Sequence, residues 1–476
     1  SRHQLGREKF LEKVWEWKEE YGNKILEQLK KIGASCDWSR TRFTMDEEYK
    51  KAVEEAFLHY HKKGWIYQGE RVVNWCVRCQ TSLSDLELEY EEEKGKLYFI
   101  RYPFKRDANI RTRANDTNKK EWITVATTRP ETMLGDTAVA VNPKDERYEN
   151  LVGKILVLPI QNREIPIVAD ESVDKDFGTG AVKVTPSHSL ADAEIAGRHK
   201  LPEIKIINEI GKMTKEAGAE FEGENVKNAR EKVVAKLAEL GLLEKTDDYI
   251  HRVAKCYRCG AVIEPQPSKQ WFLKMNELAK MAVKAVEDGK VKFSDERWEK
   301  IYSDWLSNIR DWCVSRQIWW GHQLPIYFCK SKLEEIKNEK LKIKSEENFA
   351  ASAKKPEKCP FCGDCEMEQS QDVLDTWFSS ALWPFATLGW PSACAQVKSE
   401  KLKVKSCKPK EGSDLEKFYP TQFLSTARDI INLWVARMIF SGLEFMGEAP
   451  FQDVFIHPTV LAKSGQRMSK SLGTGI

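Results

Sequence analysis

The sequence predicts an α/β protein of about three domains, in which a β-rich segment interrupts a domain of alternating helices and strands. Three observations carry that prediction. Helical periodicity opens the chain and returns in its second half, short β-rich runs parted by Gly, Pro and Asn turns fill the stretch between, and a Cys-x-x-Cys pair stands at each border of that stretch. At 476 residues the chain is also too long for a single core.

From Glu8 to Ile32, Phe10, Val14, Trp17, Ile25 and Leu29 recur at near-helical spacing, and Asp46 to Lys63 repeats the pattern with Val53, Phe57 and Tyr60. Both are predicted helices. Beyond Lys96 the runs Leu97 to Tyr102, Trp122 to Thr127, Ala138 to Val141 and Ile155 to Leu158 read as strands of a separate β-rich domain that closes near Arg252. A helix from Leu190 to His199 lies within it. A long helix around Asn276 to Val286, a Trp-rich stretch from Trp305 to Trp320, and alternating helix and strand up to Phe455 complete the order.

Hydrophobic content of 41% and charged content of 31% are ordinary for a globular protein, and a net charge of +3 is too small to mark a nucleic-acid binder, so any such contact must come from local patches. No apolar stretch approaches the roughly 20 residues of a membrane helix, and Ser1-Arg2-His3-Gln4 has no signal-peptide character, which predicts a cytoplasmic protein without membrane contact. Both ends read as the interior of a domain, which predicts a piece of a longer protein.

Cysteine usage predicts metal. Cys76-Val77-Arg78-Cys79 and Cys256-Tyr257-Arg258-Cys259 are two knuckles, each able to place two thiolates about 2.3 Å from one Zn²⁺, and together they fill a tetrahedral site at the base of the β-rich domain. Reduced thiols at a turn, or a nucleic-acid-binding zinc ribbon, are the other readings. Cys329, Cys359, Cys362 and Cys365 offer a second site, in which Cys365 supplies the fourth ligand because Lys332 stands where a partner of Cys329 is expected; loss of the metal is the alternative. Cys36, Cys313, Cys394 and Cys407 are isolated and read as packing or surface thiols.

Polar chemistry concentrates in Phe177-Gly178-Thr179-Gly180-Ala181-Val182-Lys183-Val184-Thr185-Pro186-Ser187-His188. Alternation puts Lys183 and Thr185 on one face of a strand, and Lys183, Thr185 and His188 are expected to bring polar tips to one rim. Asp192, at the start of the helix that follows, can hold an ammonium group. It can equally form a capping box with Ser189, worth about 1 kcal/mol of helix stability.

The string Thr127-Thr128-Arg129-Pro130-Glu131-Thr132-Met133-Leu134-Gly135-Asp136-Thr137-Ala138-Val139 resembles the editing insertion of the valyl-tRNA synthetases, members of the class I aminoacyl-tRNA synthetases, and Phe177 to His188 resembles the opposite wall of the same pocket. The resemblance implies that Arg129, Thr132, Lys183, Thr185 and Asp192 face a mischarged aminoacyl-adenosine. Where the family usually has an acid after the His, this chain has Ser189. Such a pocket has a physical reason, because an apolar valine site rejects isosteric threonine only about 100-fold, the known figure for the valyl enzymes themselves. Attack of water on the ester needs positioning and polarisation more than a nucleophilic side chain.

Arg467-Met468-Ser469-Lys470-Ser471 is similar to the mobile lysine-serine loop of the class I enzymes, with Arg467 where the family more often has Lys; a basic surface turn is the bland alternative. The resemblance implies that Arg467, Ser469, Lys470 and Ser471 are catalytic. It also implies that Met468, Lys470 and Asp429 bind ATP, taken with Mg²⁺ as substrate. Asp429 is expected to cap the helix that follows Ala427, which replaces a glycine of the family. Asp375-Thr376-Trp377-Phe378-Ser379-Ser380 matches the valyl members, and Trp377, Ile430 and Trp434 correspond to the lining of the valine pocket, although tryptophans in such helices are more often core. Asp311 to His322 resembles a structural signature of the subclass.

The resemblance thus implies an ATP-dependent valine-tRNA ligase that also hydrolyses mischarged threonyl-tRNA(Val), a monomer when full length, with tRNA(Val), valine and ATP as partners and a Rossmann-like nucleotide-binding domain as its catalytic core. Residues 1–75 are expected to be the helical remainder of the first half of the catalytic domain, 76–95 a zinc knuckle and stem, and 96–252 the editing domain. Residues 253–304 are expected to be the second knuckle and stem, and 305–476 the second half of the catalytic domain. Lys-rich insertions near 330–357 and 391–416, around the near-identical strings Asn338 to Ser345 and Ser399 to Ser406, read as solvated surface loops rather than tRNA-binding segments. The family's His-Ile-Gly-His type motif occurs nowhere, which implies a chain competent for editing only. A non-catalytic RNA-binding or scaffold fragment and an isoleucyl enzyme are the alternatives.

Overall fold

A computed structural model describes residues 2–105, 121–330, 349–363, 366–395, 407–463, 465, 468 and 474. The chain divides into two compact units, one made of Ser1–Gly69 with Gln270–Ile476 and the other of Glu70–Lys269. The strings Asn338 to Ser345 and Ser399 to Ser406 lie outside the described residues.

In the first unit the predicted helices form at Arg7–Lys31 and Glu47–Lys62. Asp46 caps the second by accepting from the Tyr49 amide, and Tyr49, Ala52, Val53, Ala56, Phe57 and Tyr60 form its buried face. The opening helix differs from expectation, because none of its residues is buried and Trp17 is 62% exposed. Periodicity identifies an apolar face but not a partner for it; Phe10 meets the ring of Trp319, and Trp15 those of Phe43 and Trp320. Farther along, Lys292–Phe293, Asp453–His457 and Phe423–Ala427 form a parallel three-stranded sheet with Asp453–His457 in the middle. The buried helix Ala436–Met446 makes the crossover from Phe423–Ala427 to Asp453–His457, as parallel neighbours require.

Cys394 and Cys407 correct the expectation of isolated thiols, since they form a disulfide with Cα atoms 5.4 Å apart. Residues 393–395 and 408–410 hydrogen-bond as a short antiparallel ladder (Ala395 N to Lys408 O, 2.8 Å; Lys410 N to Ala393 O, 2.8 Å), and that pairing brings together cysteines separated by 13 positions. Cys36 and Cys313 form no disulfide; the first is exposed and the second half-buried, as surface and packing thiols are expected to be.

Two sheets position the candidate site in the second unit. Trp122–Thr127, Leu88–Pro103 and Leu243–Cys256 form an antiparallel sheet with Leu88–Pro103 in the middle. Ile155–Val157, Glu164–Ala169, Ala138–Val141 and Ala181–Val184 form a mixed one in that order. The predicted run Leu97 to Tyr102 is the end of a longer strand, whose first residues are polar and exposed and so carry no hydrophobic signal. Helices Leu190–His199 and Val226–Glu239 pack alongside, the second capped by Asn225. Ile100, Val125, Met133, Val139, Leu156, Ile167, Ile206 and Val233 belong to one core.

Candidate functional site

In the second unit the wall after strand Trp122–Thr127 is a turn of 3₁₀ helix, Pro130–Gly135, whose residues are all buried. Pro130 supplies the fixed φ of a first helical position. Gly135 is required by close approach: a Cβ there would stand 3.1 Å from the Ile204 carbonyl. Facing register sets the other wall, with Val139 opposite Lys183 and Ala138 opposite Val184. Lys183, Thr185 and Thr132 meet as period-2 alternation requires, but beneath the surface and not at an exposed rim. Lys183 Nζ donates to Thr132 Oγ1 at 2.7 Å and to Thr185 Oγ1 at 2.6 Å. Thr185 Oγ1 donates in turn to Asp136 Oδ1, and Thr132 Oγ1 to the Arg129 carbonyl at 2.9 Å.

Asp192 is nine-tenths buried and accepts from the Thr185 amide at 2.8 Å and from Ser189 Oγ at 2.9 Å. Ser189 caps the helix by accepting from the Asp192 amide, but the capping box is not completed, because the Asp192 carboxylate accepts from the Thr185 amide and the Ser189 hydroxyl instead of the Ser189 amide. Burial raises the Asp192 carboxyl above its ordinary value, against the opposing pull of Lys183. His188 departs from the expected rim position. It is buried, its Nδ1 bonds the Pro265 carbonyl at 3.0 Å, and its Nε2 accepts from the Ile206 amide at 2.9 Å. That pattern fixes the neutral Nδ1–H tautomer, and burial lowers its pKa to about 3.

Arg129 is held by carboxylates. It bonds Glu264 and the His188 carbonyl, with Glu131 at 3.4 Å, while Arg230 makes two bonds to Glu131 at 2.8 and 2.9 Å. Burial alone pulls Arg129 down, but Glu264 and Glu131 more than offset it and the net shift is upward. Sequence reasoning missed Glu131, Asp136, Arg230 and Glu264. The available signal was burial cost: Met133-Leu134-Gly135 and Ala138-Val139 mark the string as buried, and the charges of Glu131 and Asp136 beside them demand partners. Thr137 Oγ1 beside Asp136, Ser187 Oγ beside His188 and both amide atoms of Gln266 beside Pro265 are buried with no hydrogen-bond partner among the described residues.

The four sulfurs of Cys76, Cys79, Cys256 and Cys259 lie within 4.8 Å of one another, with Cys76 and Cys259 3.5 Å apart. A tetrahedral zinc with four thiolates needs sulfurs about 3.8 Å apart, so the cluster fits that ion without rearrangement. The hydrogen bond from Cys76 lowers the Cys256 thiol below its ordinary value, the direction that favours a thiolate ligand. Hairpin pairing of Asn74–Cys76 with Thr81–Leu83 and the register Leu88 to Cys256 bring the two knuckles together. Cys329, Cys359 and Cys362 form a second cluster, with Cys329 and Cys362 3.8 Å apart. Cys365 lies outside the described residues.

In the first unit Asp375 organises the remaining candidates. It pairs with Arg316 at 3.0 Å, accepts from Trp312 Nε1 at 2.8 Å and caps the short helix Thr376–Ser380 at the Trp377 amide, with both charged side chains 1% exposed. Removing one partner of such a buried pair costs about 3–5 kcal/mol. Trp434 donates to the Ser380 carbonyl at 3.0 Å, which joins the end of that helix to the segment Ile430–Trp434. Trp377, Ile430 and Trp434 are half-buried. Ile431–Val435 is a turn of π-helix, and Asn432 Oδ1 within it is buried without a partner among the described residues. Asp429 is not at the expected cap position: it sits inside the 3₁₀ turn Arg428–Ile430, exposed, where Ala427 takes the cap position. Met468 is half-buried, while Arg467, Ser469, Lys470 and Ser471 lie outside the described residues.

Comparison with known proteins agrees with this architecture. The family model described as tRNA synthetases class I (I, L, M and V) matches residues 1–476. Valine–tRNA ligase of Carboxydothermus hydrogenoformans is 51% identical over 476 residues, which are 100% of this chain and 49% of that protein. The corresponding ligases of Thermotoga maritima and Clostridium acetobutylicum are 50% and 48% identical over the whole chain, which covers 50% and 49% of their lengths. The chain therefore spans about half the length of these relatives. No described helix is long and apolar enough to cross a membrane. With its parallel βαβ sheet, its β-rich insertion and its paired cysteine knuckles, the chain belongs to the class I tRNA synthetases.

Proposed function

We propose that this chain is part of a cytoplasmic, monomeric valine-tRNA ligase, that its 70–269 unit hydrolyses threonyl-tRNA(Val), and that its other unit contributes to ATP-dependent activation of valine and its transfer to tRNA(Val). The observation that carries the hydrolytic reading is the proton inventory of the pocket. Lys183 supplies the ammonium donors, Thr185 has given its proton to Asp136, and Thr132 has given its own to the Arg129 carbonyl. Each threonine oxygen keeps acceptor capacity and has no proton left to give. A bound side chain with a hydroxyl can donate to a remaining lone pair of one of them, a bond that valine cannot make, so the site favours the hydroxylated side chain by one hydrogen bond.

Within that reading Asp192 receives the α-ammonium of the ester and Arg129, anchored by Glu264, braces the wall. Lys183 lies where it can polarise the ester region, and water is the nucleophile. Zinc held by Cys76, Cys79, Cys256 and Cys259 supplies a covalent tie between the entry and exit strands of the unit. A second ion is assigned to Cys329, Cys359 and Cys362 with Cys365 as fourth ligand. For the synthetic reaction, Lys470 with Arg467, Ser469 and Ser471 handles the phosphates of Mg-ATP, Met468 and Asp429 contribute to the nucleotide site, and Trp377, Ile430 and Trp434 line the valine pocket. Equilibrium binding of non-hydrolysable amide analogues of threonyl- and valyl-adenosine tests the hydrolytic reading: the threonyl analogue is expected to bind at least about tenfold more tightly. Equal affinities would remove its basis.

A further inference from the structure

We infer that the Cys394–Cys407 pair is a redox-sensitive fastener: its disulfide joins, at their far ends, the two segments that carry Trp377 and Trp434, and a thiol reductant releases it. The inference rests on the cytoplasmic and valine-pocket reading above and adds a regulatory device to it.

The first segment runs from the short helix Thr376–Ser380 through the helical turn Trp383–Ala386 to Trp390 and Cys394. The second runs from Ile430 through the π turn Ile431–Val435 into the buried helix Ala436–Met446. At one end the bond from Trp434 Nε1 to the Ser380 carbonyl joins them. At the other, the Trp390 ring centroid lies 4.9 Å from that of Phe445 and 5.3 Å from that of Phe385, and the Cys407 amide donates to the Phe445 carbonyl at 3.1 Å. Cys407 is therefore seated on the end of the helix, Cys394 belongs to the Trp390 segment, and the disulfide closes the circuit between them.

The noncovalent bonds beside the disulfide are of a weak kind. The ladder contributes the bonds from Ala395 to Lys408 and from Lys410 to Ala393, and Lys410 Nζ adds one to the Ser392 carbonyl at 2.7 Å. Ser392, Lys408 and Lys410 are exposed, and hydrogen bonds that compete with water add little net stability. Both cysteines are half-buried, so a small thiol can reach their sulfurs. Their Cα atoms, 5.4 Å apart, lie within the range a disulfide spans without backbone movement, so the bond re-forms whenever the ladder does.

In a cytoplasm, where thiol pools keep cysteines reduced, disulfides are usually transient and redox-sensing. The exchange balances. A reductant thiolate attacks one sulfur, the other leaves as a thiolate and takes a proton, and a second reductant thiol resolves the mixed disulfide. The protein gains two electrons and two protons, and two reductant thiols become one disulfide.

The test holds the purified, zinc-loaded chain in buffers of graded reduced-to-oxidised glutathione, traps thiols by alkylation and locates them by mass spectrometry. Cys394→Ser is the variant that cannot form the bond. Cys394 and Cys407 are expected to change state together within the cytoplasmic range of ratios. Reduction is expected to speed hydrogen exchange of the Ala395, Cys407 and Lys410 amides at least about tenfold while Val454 and Ile456, in the central strand, stay unchanged. It should also lower the melting midpoint by about 5 °C, because a disulfide restricts the unfolded chain. Cys394→Ser should show the reduced behaviour in every buffer. A bond that stays oxidised in the most reducing buffer, cysteines that stay alkylatable in the most oxidising one, or exchange that ignores the redox state overturns the inference. So does a response to reductant that persists in Cys394→Ser, since it would arise at other cysteines. None of these readouts depends on hydrolysis or on valine activation, so failure here leaves the proposed function to its own tests.

Discussion

Replacing Asp192 with asparagine is expected to lower deacylation of threonyl-tRNA(Val) by on the order of a thousandfold, with the chain still folded. The amide oxygen can keep the bond from the Thr185 N–H, and the NH₂ that replaces the other oxygen can donate to Ser189 Oγ, reversing that bond, so the turn between Thr185 and Asp192 survives while the negative charge that would receive the α-ammonium is gone. Alanine would be a poorer test, because it strands a buried amide as well. The same residue predicts the acid limb of the pH profile. Burial raises the Asp192 carboxyl, and burial raises Asp136 too. The ionised form of each is therefore lost as pH falls through a value above the ordinary aspartate range near 4, so hydrolysis should begin to fall at a higher pH than an exposed aspartate would dictate. For stability the sign is opposite: a carboxyl whose folded pKa is raised favours the folded state at low pH and loses that contribution as pH rises through its folded pKa. His188, neutral down to about pH 3, should add no limb between pH 5 and 8. A rate flat down to pH 4, or a histidine-like limb near 6.5, would contradict this assignment.

Removal of metal from Cys76, Cys79, Cys256 and Cys259 should have the largest effect on stability. Binding to such a site is worth on the order of 10 kcal/mol in isolated zinc modules. The 70–269 unit has its own hydrophobic core, so only part of that energy is linked to its folding. A loss of about 3 kcal/mol is expected, which for a unit of this size lowers the melting midpoint by about 6–12 °C. Cys256→Ser should reproduce the effect of a chelator, because a single hydroxyl breaks the thiolate set. Residues close to the second knuckle carry the consequence to the pocket: Glu264 holds Arg129 and the Pro265 carbonyl holds His188. Metal loss should therefore also slow hydrolysis. A chain that melts at the same temperature with and without metal would refute the structural role of this site.

The local features were legible in the sequence for simple reasons. Period-2 alternation is enough to bring Lys183 and Thr185 to one face, and helical spacing with Asp46 or Ser189 at the start is enough to place the helices Glu47–Lys62 and Leu190–His199. Cys-x-x-Cys spacing likewise announced a four-sulfur cluster from residues 180 positions apart. What stayed hidden depends on long-range pairing. Asp136 meets Thr185 across 49 positions, Glu131 meets Arg230 across 99 and Arg129 meets Glu264 across 135, and no local pattern encodes such partners. The Cys394–Cys407 pair was missed because the short ladder that joins its flanks has no periodic signature. The opening helix shows the converse, an apolar face plain in the sequence whose burial the described residues do not supply. For Asp429, a single residue at a strand end decides between cap and turn, and sequence patterns are weakest at element ends.

The most direct measurement is hydrolysis of threonyl-tRNA(Val) beside valyl-tRNA(Val) by the purified, zinc-loaded chain under single-turnover conditions. The pocket described here predicts rapid loss of the threonyl ester and survival of the valyl ester, with selectivity of at least about tenfold, because only the threonyl hydroxyl can donate to a remaining lone pair of Thr132 or Thr185. Equal rates on the two esters, or no hydrolysis of either by a folded chain, would contradict it.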